Sequence, residues 1–517
     1  MHSRTRTNKG VKNHNIVSQS FRQKILHTYI FPGDPVLFPP VFLWEEREAV
    51  LHFSFTIAAF TGTVTRLSTI MIQLRSIFGP MGLLVLFLGV VQAIECTNVT
   101  IADASDAIEV RNDCTIISGN LGFAKALSET INLDGVEEIQ GDITHSGCEE
   151  AWEDCEIPSA FSISSSTLTK VGGAIEFWYF QGLEEISFPK LEVVQGSVSL
   201  KRLGELKRLD ITKLARLGYF ILEAANLTSM EHEGLEGFTG ENKYGTVSFW
   251  AAAVKSVDSF FSYPISANGT ADQSSITISG ENLPNVKKIN FGWAKAPELW
   301  VSGSDIAVTI GTSRTASVDI DNIVLKGNVT KLERHDSVKN LTVGSFTMES
   351  DNAMVDLELP FDQLTKLKLL NSDGLQSVKL PQAALNWSNF DLEISSCDNL
   401  NLSSEYLGSE RVWYWPETNL SRISIARVNV SNGFFESFME NHADGNNTQK
   451  VLEEFTINPN PSQAIAFNCT PFDELKNRGV LPDDYSCKNA TSVASPIAVQ
   501  NLWHYGVAFG AIAFGCI

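Results

Sequence analysis

Ile117-Ser118-Gly119-Asn120-Leu121, Ile139-Gln140-Gly141-Asp142-Ile143, Val171-Gly172-Gly173-Ala174-Ile175 and Val194-Gln195-Gly196-Ser197-Val198 share one pattern: aliphatic, any residue, glycine, any residue, aliphatic. A degenerate copy follows at Leu217-Gly218-Tyr219-Phe220-Ile221, and the centres step by 22, 32, 23 and 23 residues. The long step holds an insertion that contains Cys148 and Cys155. A fixed period on both sides of an insertion is the mark of a repeat array. Alternating aliphatics turn one side of a short strand inward, and glycine lets neighbouring backbones approach. One such rung cannot bury its apolar face, whereas stacked rungs build a continuous core. The expected fold is therefore all-β dominated, a parallel β-solenoid of the L-domain or leucine-rich-repeat kind, with two stacked lobes and few short helices.

Working outward, aliphatic-Pro pairs at Phe188-Pro189, Leu283-Pro284, Leu359-Pro360 and Leu380-Pro381 fit corners where the ladder is interrupted. A second array starts near residue 275, with Gly280, Gly303 and Gly327 spaced by 23 and 24. Looser rungs follow around Leu341-Thr342-Val343, Leu367-Lys368-Leu369 and Asp391–Ile394. Residues 240–275 are rich in Gly, Ser and Ala and read as a break. The expected organisation is a first lobe over 94–245, a second over 275–415 and a less regular cap over 416–487. Short helices are expected at Asp103–Arg111 and Ala443–Glu454.

The ends of the chain speak to compartment. Leu83–Val91 is a short apolar run, preceded by Arg75 and followed by Val91-Gln92-Ala93, the architecture of a secretory signal over 71–93. The preferred reading starts translation at Met71 or Met81 and sets aside the unpatterned residues 1–70. A competing reading keeps them and makes Ile77–Ile94 a signal anchor. At the other end, Asn489-Ala490-Thr491, a ten-residue spacer and uncharged Gly506–Ile517 fit a GPI attachment signal over 488–517 with Asn489 as the attachment site. The competing reading is a C-terminal amphipathic stretch or a buried helix.

All Asn-x-Ser/Thr acceptors lie downstream of the leader: Asn98, Asn226, Asn268, Asn328, Asn340, Asn386, Asn401, Asn419, Asn429, Asn446, Asn468 and Asn489. That placement, more than their number, points to a chain that meets the glycosylation machinery. Residues 1–80 carry nine Lys/Arg against four Asp/Glu, yet the whole chain carries −21. That balance argues against nucleic acid, which calls for a basic footprint, and suits a soluble surface protein. The eight cysteines are placed locally. Cys96 with Cys114, Cys148 with Cys155, and Cys469 with Cys487 read as three bridges, a connectivity that spacing alone leaves open. Cys397 is expected to be a buried thiol, and Cys516 lies in the tail.

Several residues carry a resemblance. Thr100-Ile101-Ala102-Asp103-Ala104-Ser105-Asp106-Ala107, followed by Cys114-Thr115-Ile116-Ile117-Ser118-Gly119, looks like the mature start of fungal GPI-anchored cell-wall organisation proteins of the sporulation-specific and extracellular-mutant type. That family is built from receptor L-domain-like repeats. Gly182-Leu183-Glu184-Glu185-Ile186-Ser187-Phe188-Pro189-Lys190-Leu191 is similar to its rung, and Cys469-Thr470-Pro471-Phe472-Asp473 through Tyr485-Ser486-Cys487 resembles its closing Cys pair. The resemblance covers about residues 94–490. It implies a non-enzymatic role in wall organisation, with wall polysaccharide or wall glycoproteins as partners and a GPI lipid in the plasma membrane. Here only Thr491-Ser492-Val493-Ala494-Ser495 stands where members carry a longer Ser/Thr-rich stretch, so membrane anchoring is implied more firmly than transfer to wall glucan.

Two other functions stand as alternatives, a glycan- or protein-binding ectodomain and a polysaccharide-modifying enzyme. Glycoside hydrolysis needs two carboxylates across a sugar-sized gap. Asp319 and Asp321 share a strand face and read as a solvated pair, and Asp483-Asp484 is isolated. The acidic residues around Cys148 and Cys155 lack calcium-loop spacing. His145, His232, His335 and His442 are scattered over separate rungs, and no Gly-x-Ser-x-Gly, His-Glu-x-x-His or phosphate loop occurs. No cofactor, metal or catalytic residue is expected. Two aromatic clusters remain, Phe177-Trp178-Tyr179-Phe180 and Trp413-Tyr414-Trp415-Pro416. Core or lobe-junction packing is the expectation for most of each; of the two, Trp413 and Trp415, beyond the regular rungs, are the better candidates for a ligand surface.

Overall fold

The computed structural model describes residues 95–146, 159–239, 245–250, 252–269, 275–279, 283–443, 448–463 and 466–490. These belong to one compact unit. The leader, the Cys148/Cys155 insertion, Asn446 and the tail from 491 lie outside the described residues.

The fold is a parallel β-solenoid. One long ladder runs from Val99–Ile101 at one end to Asp484–Cys487 at the other, each strand paired in parallel with the next rung. Two rows of side chains fill its inner side. In the first lobe one row reads Leu121, Ile143, Ile175, Val198 and Phe220 and the next Phe123, His145, Phe177, Leu200 and Leu222. In the second the rows continue as Leu299, Ile323, Phe346, Leu367 and Leu392, and Val301, Leu325, Met348, Leu369 and Ile394. All the apolar members are buried. Burial of such rows at about 25 cal/mol per Å² is the main stabilising term.

The first lobe has three faces. Beside the long ladder stand a ladder of two-residue strands, including Ile116–Ile117, Glu138–Ile139, Lys170–Val171 and Val193–Val194, and a third ladder from Ile131–Asn132 to Ser229–Glu231. The repeated glycine makes the corner between the short and long ladders. A Cβ on Gly173 would lie 2.8 Å from the Gly141 carbonyl carbon and oxygen and 2.1 Å from Asp142 Oδ1. Next to this glycine stack, Asn98 Oδ1 accepts from Asn120 N–H, Asn120 Oδ1 from Asp142 N–H, and Asp142 Oδ1 from Ala174 N–H, at 2.8, 2.8 and 2.7 Å. The other end of the long strand turns on a left-handed residue: Tyr179, Arg202, Ser350, Asn371, Ser396 and Arg427 each follow their strand with φ between 51° and 57°.

Four sequence expectations are adjusted. The degenerate copy is one residue shorter at its corner: Gly218 N–H bonds to Gly196 O at 2.7 Å and Phe220 pairs with Val198, so Phe220 points inward and Ile221 outward. Residues 240–275 do not interrupt the long ladder, because Thr246–Trp250 pairs with both Tyr219–Glu223 and Ile276–Ser279. What changes there is cross-section. Beyond it, strands such as Lys295–Ile310 and Ser317–Arg334 run around corners that separate faces in the first lobe, and Gly303 and Gly327 pair at the corner that follows the long strand. The region from 416 still contributes ladder strands, Leu420–Ala426, Val451–Asn458 and Asp484–Cys487. Where a helix was expected at Ala443–Glu454, the described residues Val451–Asn458 form a strand paired with Leu420–Ala426, with Val451, Phe455 and Ile457 facing inward, and residues 444–447 lie outside the described residues.

Helices stand at the ends. α1 (Ala104–Asp113) is capped by Asp103, whose carboxylate accepts from Ser105 and Asp106 N–H, and buries Ala107 and Val110. α2 (Glu436–Glu440) is short. α3 (Thr470–Asn477) packs Phe472 against Phe435, Phe455 and Phe467. Cys96–Cys114 and Cys469–Cys487 are disulfides with Cα atoms 5.6 and 5.8 Å apart, one at each end of the ladder. A solenoid exposes its last rungs unless something covers them, and these helices and bridges do so.

Candidate ligand surface

Strand alternation that sends Phe177 inward sends Trp178 out. On the outer side of the long ladder, Glu176, Ser199, Ile221, Ser248, Thr277 and Trp300 form one row in register. Beside it, Trp178 pairs with Lys201 and Trp250 with Glu223, the residue one rung beyond Lys201. Trp178, Trp250 and Tyr219 are 46%, 47% and 39% exposed. Trp178 is held in place: its indole N–H donates to Ser199 Oγ at 3.3 Å and Lys201 Nζ lies 5.0 Å from its ring centre. Three ladder steps separate Trp178 from Trp250, about 14 Å at the usual strand spacing.

The second-lobe part of the same outer side is different. Lys366 pairs with Asp391 at 3.0 Å, Lys368 with Glu393 at 2.8 Å, and Arg422 bridges Asp391 and Glu393 at 3.0 and 2.6 Å. This is a network of half-buried ion pairs that satisfies itself across rungs. The outer side is thus divided into an aromatic and hydroxylated half and a charged half.

The acceptor asparagines sit elsewhere. Among the described residues none is buried: Asn98, Asn226, Asn268, Asn340, Asn386, Asn401, Asn419, Asn468 and Asn489 are exposed, and Asn328 and Asn429 half-buried. Asn98 and Asn419 precede long-ladder strands, Asn226 and Asn489 follow them, and Asn328 and Asn340 lie within the strands Ser317–Arg334 and Asn340–Glu349. Asn401 and Asn429 pair with each other on a separate two-stranded ladder. Asn489 is tied to the end of the fold, its Oδ1 accepting from Cys469 N–H at 2.7 Å. No described acceptor falls on the outward row from Glu176 to Trp300 or beside it at Trp178, Lys201, Glu223 and Trp250.

Trp413 and Trp415 are not a surface. Each is 1% exposed, and they pack with Phe434 and Phe435 at ring separations of 4.6 to 5.5 Å. Trp415 N–H donates to Phe434 O at 3.0 Å, while Trp413 borders a cavity of about 120 Å³ near Tyr406 and Leu407. They close the core under the last rungs, which is why they lie beyond the regular pattern. The exposed residues the sequence reading passed over are Tyr219, Trp250 and the half-buried Trp300. Strict alternation through Thr246-Val247-Ser248-Phe249-Trp250 is the signal that marks Trp250 as outward.

The remaining candidates stay apart. Asp319 and Asp321 are both exposed on one strand, and Asp483 pairs with Lys476 at 2.8 Å. His145 is buried in the first lobe, stacked on Phe180, and His232 lies over Phe260. Cys397 is a buried thiol that burial pushes up to about 11, far from reactive. A groove of about 570 Å³ has Lys331, Glu333, Arg334, Asp356, Glu358 and Lys379 along it, charges of both signs. Among the described residues no His, Cys, Asp and Glu cluster has the makings of a metal site, and no helix is long and apolar enough to cross a membrane. Comparison with family models, curated proteins and solved structures finds no match for the chain.

Proposed function

We propose that this protein is a non-enzymatic cell-surface glycoprotein that organises a fungal cell wall, held to the plasma membrane by a GPI lipid at Asn489. The observation that carries the reading is the placement of the acceptor asparagines. Every described one reaches solvent, and none lies on the first-lobe outward row of the long ladder, from Glu176 to Trp300. Two disulfides at the ends suit an oxidising compartment. Attachment at Asn489 would place the anchor two residues after the last ladder strand, which ends at Cys487. The family resemblance of both Cys-bounded ends supports the same role.

Loss of the protein from its host is expected to sensitise cells to wall-perturbing dyes. The purified glycoprotein is expected to release no reducing sugar from isolated wall glucan. Sugar release that is lost in a carboxylate variant would favour the polysaccharide-modifying alternative and overturn this one.

A further inference from the structure

We propose that the first-lobe half of the outer ladder side is a docking platform for a neutral polysaccharide chain, with Trp178 and Trp250 as its stacking residues. The proposal rests on the cell-surface reading above and names the ligand class that reading leaves open. Its chemistry comes first. Trp178, Tyr219 and Trp250 expose rings, and Thr144, Ser199, Ser248 and Thr277 line up hydroxyls in the adjoining outward row, from one rung before Trp178 to one rung beyond Trp250. A sugar ring offers an apolar C–H face to an aromatic and a rim of hydroxyls to Ser and Thr, so both kinds of contact are met at once.

Charge selects among polymers. The strip holds Glu176, Lys201 and Glu223, almost balanced, on a chain of −21. A polyanion would meet a repulsive field and no basic stripe, whereas a neutral chain needs neither. Preorganisation favours binding as well: Ser199 and Lys201 hold the Trp178 ring before any ligand arrives, so little side-chain freedom is lost. The spacing of about 14 Å between Trp178 and Trp250 calls for an extended chain along the solenoid axis rather than a single sugar. Finally, Asn98 and Asn226 stand at the corners on either side of the strip and not on it, which leaves it open beneath a glycan coat.

The test uses the secreted glycoprotein and insoluble neutral β-glucan particles. Wild type is expected to bind, with an affinity that hardly changes as salt is raised. Trp178→Ala and Trp250→Ala are each expected to weaken binding about tenfold, the size of a typical aromatic hot spot, with unaltered thermal melts because both rings are outside the core. Thr246→Asn creates an Asn-Val-Ser acceptor in the middle of the strip, and its glycan is expected to abolish binding. Ser345→Asn creates an Asn-Phe-Thr acceptor on the charged half and is expected to leave binding unchanged. Binding that survives both Trp178→Ala and Trp250→Ala, or capture of wall glycoproteins with none of glucan, overturns the platform. Glycosidase treatment separates the two levels. A wild type without any N-glycan overturns the cell-surface reading, while a glycosylated wild type that ignores glucan overturns the platform alone.

Discussion

His145 lies inside the first lobe with its ring stacked on Phe180, centres 3.4 Å apart, and its Nδ1 donating to Phe123 O at 3.3 Å. Burial lowers its pKa to about 4, against the weaker opposing pull of the Phe123 carbonyl, with Lys125 adding to the lowering. The folded state therefore prefers the neutral ring. Its contribution is complete above the unfolded value near 6.5 and is lost as pH falls towards 4, on the order of 3 kcal/mol in all. His232, also lowered to about 4 by burial, acts in the same sense. Urea midpoints measured from pH 7 to 4 are expected to fall, and His145→Gln is expected to flatten that slope; an unchanged slope would contradict the assignment. At this scale the sequence was half legible. Phe177-Trp178-Tyr179-Phe180 announces alternation, and the split into core Phe177 and exposed Trp178 follows from it. Trp413 and Trp415 misled because they alternate too, yet Phe434 and Phe435 come from a later segment and cover them.

Glycine is the residue that defines the rung, and its stack at one corner explains why. Gly141, Gly173, Gly196 and Gly218 each donate to the carbonyl of the glycine one rung before, at 3.1, 2.9, 2.8 and 2.7 Å. There is no space between them for a side chain. Gly173→Ala is expected to cost about 2 kcal/mol or more, as overpacking against backbone does, read as a lower thermal midpoint. Gly204→Ala, at a corner where a Cβ meets nothing within 4 Å, is expected to change little and serves as the control. The same stack explains what the repeat made readable and what it hid. Four copies keep two residues from the preceding aliphatic to the glycine, and their strands were legible. The fifth drops one residue before Gly218, which moves Phe220 into the core, a shift visible only once the carbonyl of Gly196 is seen to receive Gly218. The helix expected after Ala443 failed for another reason. Polar residues such as Glu453 and Glu454 suit a helix surface, but the ladder before them presents an open edge at Leu420–Ala426, and pairing with it overrides local preference.

The described solenoid has one uninterrupted ladder, covered ends and an unequal distribution of chemistry around its sides. Acceptor asparagines keep off the first-lobe outward row, ion pairs knit the second-lobe half of the outer side, and aromatic and hydroxyl groups occupy the first-lobe half. That division follows from the solenoid, because a residue type repeated once per rung becomes a stripe. On the function proposed above, these stripes belong to a glycosylated protein of the cell surface. Mass spectrometry of the protein recovered from the host surface tests it most directly. The account predicts a mature N-terminus at Ile94 or Glu95, N-glycans at exposed acceptors such as Asn98, Asn226 and Asn340, and a C-terminal peptide that ends at Asn489 bearing the lipid anchor. An unglycosylated chain that retains residues 1–70 and Ile517 would contradict it.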